Sequence, residues 1–322
     1  MKVLIVKLSS MGDVIGTLPA LTDARNAIPD ISFDWALEEN FIEIPHWHQA
    51  VDAVIPMALR RWRKTLWNPN TIKEIHEFWK NLRTKKYDYV IDAHGLLKSA
   101  TVAMMAHGKR HGFSFNNVRE PLASFFYNKK FDVKKDLHVT ERLRKLFSLT
   151  LNYETTSDAL NYGILDYFVT KSVPRNDSLP DEKYLVFVHG ASRNNKCWSE
   201  GKWMELANLA KTLGLKVKLP WGNNTELARA KNIAQATINV EVLPKMSITE
   251  IAGVILNAKG VIAVDTGFGH LAAALEIPTL SMYGPTNPKS GGAYGKNQTY
   301  LTDMKGLSPE MVWQKLSSSF AI

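Results

Sequence analysis

The loop Ser9–Asp13 combines two hydroxyl side chains, one glycine and one carboxylate, a set that can bind and activate a polar substrate. It follows the apolar run KVLIVKL and precedes a helical pattern, so it marks a strand-to-helix turn. Gly12 permits a tight turn and a close approach of the backbone to a ligand. For Asp13 the loop alone leaves two interpretations open: a cap of the following helix, which is the commoner role of such an aspartate, or a general base.

A second polar loop, HGASRNNKCW, begins at His189 after the apolar run YLVFV. Its small residues, followed by hydroxyl, amide and cationic groups, are typical of a phosphate cradle. Lys196 would then neutralise the charge on a leaving diphosphate. A polar surface loop explains the same residues equally well, and Cys197 beside a tryptophan indicates packing rather than chemistry.

The motif VDTGFGH, residues 264–270, also joins a strand pattern to a helix pattern. Such a turn directs backbone N–H groups and a helix dipole toward an anion. His270, taken in isolation, is better interpreted as a satisfied helical histidine. Glu226 occupies the equivalent position after the run KVKLPWG, where a carboxylate either accepts hydrogen bonds from a ribose diol or stabilises the start of its helix.

A basic segment lies between residues 60 and 86. It carries nine lysines and arginines against two glutamates, and it is interleaved with Trp62, Trp67 and Trp79. The whole chain has a formal net charge of +9, which favours anionic partners. A solvated surface explains scattered lysines, but the clustering in this segment predicts a binding patch.

Strand-like apolar runs alternate with helical stretches, which predicts parallel sheets covered by helices on both faces. The pattern weakens across the polar stretch KSVPRNDSLPDEK and then restarts, so we expect two Rossmann-like domains facing a central cleft. The expected parts are a first domain at 1–170, a linker at 171–183, a second domain at 184–307 and a last helix at 308–322. Val312, Leu316 and Phe320 form one face of that helix, which we expect to pack back on the first domain.

Composition and missing motifs exclude several classes of protein. The only cysteine is Cys197, which excludes an internal disulfide and a cysteine-based metal cluster and fits a reducing, cytoplasmic compartment. No apolar stretch reaches the roughly 18 residues that a membrane-spanning helix needs. The first loop lacks the G-x-G-x-x-G fingerprint of a nicotinamide-dependent oxidoreductase. A non-enzymatic binder of anionic lipid or nucleic acid would leave three strand-end loops unexplained.

In combination these motifs are more specific than each is alone. The Ser9–Asp13 loop, the D-T-G-x-x-H motif and the sequence YGPT at 283–286 resemble glycosyltransferase family 9. The likeness runs through nearly the whole chain. It is strongest toward the family's heptosyltransferases of lipopolysaccharide synthesis in LIVKLSSMGDVIGTLPALTDA, IPMALRRWRK, REPLASFFYNKK, VEVLPKMS and YGPTNP.

The resemblance implies an α/β GT-B architecture and an inverting, metal-independent reaction that uses no cofactor. The implied donor is ADP-L-glycero-β-D-manno-heptose, and the implied acceptor is the inner Kdo of Kdo2-lipid A, joined in an α-1,5 linkage. It also implies an enzyme on the anionic cytoplasmic face of the inner membrane of a Gram-negative bacterium, with no nucleic-acid partner. Phosphorylated Kdo-lipid A, or heptose itself, is an alternative acceptor within the family.

The resemblance also assigns roles to residues, with the first domain binding the acceptor and the second the nucleotide sugar. Asp13 becomes the base and Lys196 the partner of the diphosphate. Glu226 is expected to face the ribose, and Met246 to lie near the adenine base. The remaining donor-binding residues are expected to be Ala191, Ser192, Asp265, Thr266, Gly267 and His270, although Ala191 departs from a threonine-rich family pattern and offers only its backbone. The acceptor's carboxylates and phosphates are expected to contact Arg60, Arg61, Arg63, Lys64 and Arg119.

Overall fold

The computed structural model describes residues 1–154, 159–171, 183–191, 193–235 and 237–320. The chain divides into two compact units, Met1–Tyr167 and Phe168–Ile322. The expected first domain, 1–170, ends close to this division. Most of the expected linker, residues 172–182, lies outside the described residues.

The first unit is built around a parallel sheet with the strand order β3-β2-β1-β4-β5-β6. Its strands are β1 (Lys2–Val6), β2 (Ser32–Glu38), β3 (Val51–Met57), β4 (Lys86–Asp92), β5 (His107–Phe113) and β6 (Lys129–Phe131). Its helices are α1 (Met11–Ile15), α2 (Leu18–Ala27), α3 (Glu43–His46), α4 (Leu59–Trp62), α5 (Pro69–Thr84), α6 (Leu97–Met105) and α7 (Val139–Leu151), and α8 (Leu165–Thr170) spans the division.

The apolar runs of the first unit are buried because helices cover both faces of the sheet. Leu4 and Val6 of β1 pack in one cluster with Phe78 of α5, among other residues. On the opposite face the ring of Phe33 in β2 lies 6.1 Å from that of Phe147 in α7. Strands buried on both faces have continuous rather than alternating apolar sequences, as KVLIV does. The predicted covered parallel sheet is therefore confirmed.

The second unit repeats this design with the strand order β12-β11-β10-β7-β8-β9, again parallel throughout the described strands. Its strands are β7 (Tyr184–Val188), β8 (Lys216–Leu219), β9 (Val240–Val242), β10 (Gly260–Val264), β11 (Thr279–Met282) and β12 (Gln298–Leu301). Its helices are α9 (Glu200–Thr212), α10 (Asn224–Ala234), α11 (Ile248–Leu256), α12 (Gly267–Ala274), α13 (Pro288–Gly291) and α14 (Pro309–Phe320).

The last helix, α14, forms where the sequence predicts it, and two residues of its predicted apolar face are buried in the second unit. Val312 and Leu316 are fully buried in the core of the second unit, where α14 packs against Trp203 and Leu206 of α9. The packing of this helix back on the first domain stays a prediction. An amphipathic pattern specifies an apolar face, and tertiary packing decides what covers it.

The strand orders identify where ligands can bind in each unit. β1 lies between β2 and β4. After β1 the chain continues to β2 on one side, and after β4 it continues to β5 on the other side, so the loops that follow β1 and β4 begin next to each other. β7 and β10 stand in the same relation in the second unit. No helix among the described residues is long and apolar enough to cross a membrane.

Candidate active site

Asp13 lies in the first turn of α1, directly after β1. Its Oδ2 accepts hydrogen bonds from the backbone N–H of Ser10, at 2.9 Å, and from the Ser10 hydroxyl, at 3.0 Å. Its Oδ1 lies 3.2 Å from Nζ of Lys7. The capping contact that the sequence suggested is therefore present. The carboxylate also has an ion-pair partner that a cap does not need.

Lys7 is the cation that fixes Asp13. It is only 3% exposed, and its Nζ also donates to the backbone carbonyl of Ala93, at 3.1 Å. Burial by itself would raise the pKa of Asp13, but the charge of Lys7 and the hydrogen bonds from Ser10 outweigh it and hold that pKa well below its usual value. Asp13 is therefore ionised at neutral pH and held in one orientation.

The loop after β4 forms the adjacent wall and contains His94, which the sequence analysis did not single out. The Nδ1 of His94 accepts the backbone N–H of Leu8 at 3.1 Å, and burial lowers the pKa of His94 to about 3. The buried Asp92 shapes this loop, because its carboxylate accepts the backbone N–H groups of His94, at 2.9 Å, and Gly95, at 3.0 Å. Gly95 has φ +73°, a conformation that favours glycine. The polar turn IDAHG after an apolar strand was the available signal.

Asp13, Lys7 and His94 line a cavity of about 340 Å³ whose other polar walls are basic. Those walls carry Arg119, Lys135, Arg142 and Asn117. The structure thus brings the predicted base and one predicted acceptor-binding arginine to the same cavity. No sequence spacing marks Lys135 and Arg142 as partners of Asp13.

Arg142 is held as part of this wall. Its guanidinium lies over the ring of Phe113, 4.7 Å from the ring centroid, and its Nη2 donates to the carbonyl of Asn117. Its buried Nε has no hydrogen-bond partner among the described residues. A buried N–H without a partner is costly, so the packing around Arg142 must offset this cost.

The basic segment contains residues with different surroundings. Arg61 is paired on both sides, with its Nη2 at 3.0 Å from Glu39 Oε2 and 2.9 Å from Glu74 Oε2. Trp62 is buried, and its Nε1 donates to Glu74 at 2.7 Å. Arg61 and Trp62 therefore connect α4 to α5. The buried Trp62 is not available to a membrane surface, whereas the Arg61 side chain is 47% exposed and its contact with an acceptor stays a prediction. By contrast, Trp67 is 95% exposed.

Arg60 and Arg63 share a positive environment with Arg119. Burial lowers the pKa of Lys98 despite attraction by Glu38, and the charges of Arg63, Arg60 and Arg119 lower it further. The charges of these three predicted residues therefore act on Lys98, a cation that the sequence analysis missed. Lys64 lies exposed beyond the end of α4.

In the second unit, the loop after β7 and the loop after β10 meet through an ion pair. Nζ of Lys196, in a 3-10 turn at Asn194–Lys196, lies 2.6 Å from Oδ2 of Asp265. Two residues assigned to the donor are thus in direct contact. Ala191 is half-buried in the same loop, and Ser192 lies outside the described residues.

Glu226 lies in the first turn of α10, where the helix-start interpretation is observed. Its backbone N–H donates to Oδ1 of Asn223 at 3.0 Å, and its Oε2 accepts the backbone N–H of Gly222 at 2.7 Å. Its other oxygen, Oε1, lies against Gly190. Glycine has no Cβ, and a Cβ added at this position would lie only 2.8 Å from Oε1. The carboxylate therefore stands beside the backbone that leaves β7.

The remaining donor-site predictions fall on two helix starts. Thr266 precedes the first turn of α12, Gly267 begins that helix, and His270 is half-buried within it. Met246 is half-buried just before α11. Among the described residues, no group of three or more His, Cys, Asp and Glu side chains is arranged to hold a metal ion.

Two α/β units with charged side chains at the carboxyl ends of their central strands are the architecture of GT-B glycosyltransferases. Residues 75–319 match the model of "Glycosyltransferase family 9 (heptosyltransferase)". The chain belongs to this family and is an enzyme of the heptosyltransferase class. The predicted family and α/β fold are thereby confirmed.

Similar proteins agree with this assignment. The chain is 47% identical to lipopolysaccharide heptosyltransferase 1 of Escherichia coli K12 over 99% of its own length and all of that protein's. It superposes on the solved structure of E. coli heptosyltransferase WaaC with ADP with a TM-score of 0.93, at 46% identity, covering 99% of this chain and 100% of that one. For the WaaC structure with ADP-2-deoxy-2-fluoro heptose the TM-score is 0.91, with 46% identity and 99% coverage of both chains.

Proposed function

We propose that this enzyme transfers L-glycero-D-manno-heptose from ADP-L-glycero-β-D-manno-heptose to the inner Kdo of Kdo2-lipid A. The observation that carries the proposal is the cavity in which an ionised Asp13 faces Arg119, Lys135 and Arg142. The named activity of the E. coli relative and the ADP-heptose analogue in a solved structure support the donor. The basic walls support an acceptor that carries carboxylates or phosphates.

Asp13 is proposed to act as the general base. An acceptor hydroxyl oxygen attacks C1 of heptose, its proton passes to Asp13, and the bond from C1 to the phosphate oxygen breaks. ADP leaves with the bonding electron pair, and attack opposite the leaving group inverts the configuration. Lys7 keeps Asp13 ionised, and Ser10 fixes its orientation, so the base is in the correct state and direction before the acceptor arrives.

Lys196 is proposed to stabilise the leaving diphosphate. It is 21% exposed at its side chain, so it can bind a phosphate oxygen while keeping its contact with Asp265. The first turn of α12 adds backbone N–H groups and the positive end of its dipole. Together these groups would supply the charge stabilisation that a divalent cation gives in other transferases.

Anion recognition by the acceptor side is proposed to involve two groups of cations. Arg119, Lys135 and Arg142 line the Asp13 cavity, and Arg60, Arg63 and Lys98 form the adjoining positive environment through Arg119. The exposed part of the basic segment, with Leu66, Trp67 and Ile72, is proposed to rest on the anionic cytoplasmic face of the inner membrane. Each lysine or arginine near such a surface contributes about 1 kcal/mol, so several must act together.

The proposal is tested by incubating the purified enzyme with ADP-heptose and a set of lipid-A-derived acceptors. We expect ADP release, and a product heavier by one heptose, with Kdo2-lipid A and not with lipid A lacking Kdo. Acceptors with phosphorylated Kdo, or with Kdo already carrying heptose, test the two alternatives in the same assay. Transfer only to the heptose-bearing acceptor would reject the proposed acceptor while leaving the enzyme class unchanged.

A further inference from the structure

The loop between β5 and β6 carries an exposed apolar surface formed by Phe115, Leu122 and Phe125, here called the Phe115 surface. Their exposed fractions are 47%, 57% and 68%. The rings of Phe115 and Phe125 contact each other edge to face, with centroids 5.9 Å apart. Large apolar side chains gathered at one exposed place mark an interaction site more often than a random surface does.

This loop is held firmly from beneath, so the exposure is built into the fold. Residues Pro121–Phe126 form a 3-10 helix, in which Ala123 and Ser124 are buried. Nε of Arg110 donates to the carbonyl of Phe126 at 2.9 Å. The hydroxyl of Tyr127, the next residue, donates to the buried Asp92 at 2.6 Å. The pairs Ala123–Ser124 and Phe126–Tyr127 thus anchor the loop, while Leu122 and Phe125 are exposed.

A lysine borders the Phe115 surface, because Nζ of Lys130 lies 5.7 Å from the centroid of the Phe125 ring. Lys129, the preceding residue of β6, lies instead over the ring of Phe131. Two carboxylates of this region have hydrogen-bond partners: Glu120 accepts the backbone N–H of Leu97 at the start of α6, and Asp132 accepts from Asn117 in the loop. Exposed aromatic and leucine side chains bordered by lysines are the composition of surfaces that enter the headgroup region of anionic bilayers.

The same loop also forms a wall of the Asp13 cavity. Phe113, Asn117 and Arg119 line the cavity, and Phe115 and Leu122 lie within three residues of them along the chain. We propose that the Phe115 surface inserts into the headgroup–acyl boundary of an anionic phospholipid bilayer and so holds the Asp13 cavity at the membrane. The inference rests on the proposed function in one respect, namely that the acceptor is anchored in that bilayer.

The test compares two triple variants of the full chain. Phe115→Gln, Leu122→Gln and Phe125→Gln remove the surface, whereas Leu213→Gln, Ile238→Gln and Met311→Gln remove three exposed apolar side chains of the second unit as a matched control. Each protein is floated with vesicles containing phosphatidylglycerol and with vesicles of phosphatidylcholine alone. We expect the first variant, and not the control, to lose at least about tenfold in affinity for the anionic vesicles. Thermal unfolding checks the fold, and the single variant Phe125→Gln gives the same readout if the triple variant unfolds.

Enzyme assays separate this inference from the proposed function. Transfer to a deacylated, water-soluble Kdo acceptor should be unchanged in the Phe115-surface variant, while transfer to the same acceptor embedded in vesicles should fall. Unchanged vesicle affinity would overturn the inference, as would a dimer of the wild type that the variant loses in sedimentation velocity, since the surface would then be a protein interface. An equal loss on the soluble acceptor would also overturn it. If no Kdo acceptor reacts at all, the proposed function fails, and the vesicle measurement still decides the inference.

Discussion

Nζ of the buried Lys7 lies 3.2 Å from Oδ1 of Asp13, on the side of the carboxylate away from Ser10. Lys7 directly follows β1, and Asp13 lies in the helix α1 that comes next. Lys7 also donates a hydrogen bond to the carbonyl of Ala93 in the loop after β4. One cation therefore joins two loops and sets the charge state of the candidate base.

We expect Lys7→Met to lower turnover at neutral pH by about tenfold or more and to shift the acid limb of the rate profile to higher pH. Without Lys7, burial is the dominant influence on Asp13 and raises its pKa. The measurement is kcat and kcat/KM across pH with a soluble acceptor. Lys2→Met, at the exposed start of the same strand, is the control. An unshifted acid limb in Lys7→Met would show that Lys7 does not tune the base.

Asp13→Asn should reduce turnover by ~10² or more, because an amide cannot take up the proton of the acceptor hydroxyl. The amide oxygen can still accept the Ser10 N–H, so α1 should keep its first turn. Ser10→Ala removes only the hydroxyl contact and should cost far less turnover, with a stability loss of about 1 kcal/mol. Near-normal turnover in Asp13→Asn would reduce Asp13 to a helix cap.

Lys196→Ala should lower kcat strongly, because the leaving diphosphate loses its cation and Asp265 loses its partner. The wild type should keep its activity in EDTA. Lys211→Ala, on the exposed side of α9, is the matched control. Activity that disappears in EDTA and returns with magnesium would contradict this assignment of Lys196.

The basic segment should divide into two classes of variant. Arg60→Gln with Arg63→Gln should raise the acceptor KM several-fold at low salt and leave the donor KM unchanged, because both lie in the positive environment around Lys98. Arg61→Gln should mainly lower the melting temperature, since Arg61 pairs with Glu39 and Glu74. Steady-state kinetics and thermal unfolding of the two proteins check this division. Equal effects on the acceptor KM would return Arg61 to the acceptor site.

Acid sensitivity of the fold should depend on His48. Burial lowers the pKa of His48 to about 4, below its ordinary value of 6.5. Between these two pH values His48 is protonated in the unfolded chain and neutral in the folded chain. Stability from the neutral His48 is therefore full above pH 6.5 and falls as pH drops toward 4, by about 1.4 kcal/mol per pH unit. Burial also lowers the pKa of His94, His111 and His189, so we expect His48→Gln to reduce the slope of unfolding free energy against pH in this window by about 1.4 kcal/mol per pH unit and not to abolish it. The exposed His46→Gln should leave the dependence unchanged, and a wild-type slope in His48→Gln would refute the explanation.

The sequence predicted the strand-end loops well because their signal is local. An apolar run followed by glycine and polar residues identifies the turns around Asp13, Lys196 and Asp265 without knowledge of the fold. The ion pair between Lys196 and Asp265 joins residues 69 positions apart, and no local pattern contains it. What the sequence could not provide was the pairing of residues that meet only after folding.

The same limit explains which contacts the sequence could not predict in the basic segment and at the chain end. Arg61 counts as a free charge in a sequence pattern, but Glu39, which neutralises it, comes 22 residues earlier. Lys135 and Arg142 are scattered cations until β5, β6 and α7 bring them to one cavity. For α14, the positions of Val312 and Leu316 predict a buried face, while the choice of α9 as its partner is a property of the folded chain.

Asp92 connects the loop beside the candidate base to the loop that carries the Phe115 surface. Its Oδ1 holds the backbone of His94 and Gly95 beside the candidate base, and its Oδ2 accepts from Ser99 and from Tyr127, which ends the 3-10 helix of the Phe115 surface. The loop beside Asp13 and the loop that carries the Phe115 surface are therefore both held by Asp92. A lineage that replaced Asp92 would have to rebuild both at once, so these two parts of the enzyme are not free to evolve separately.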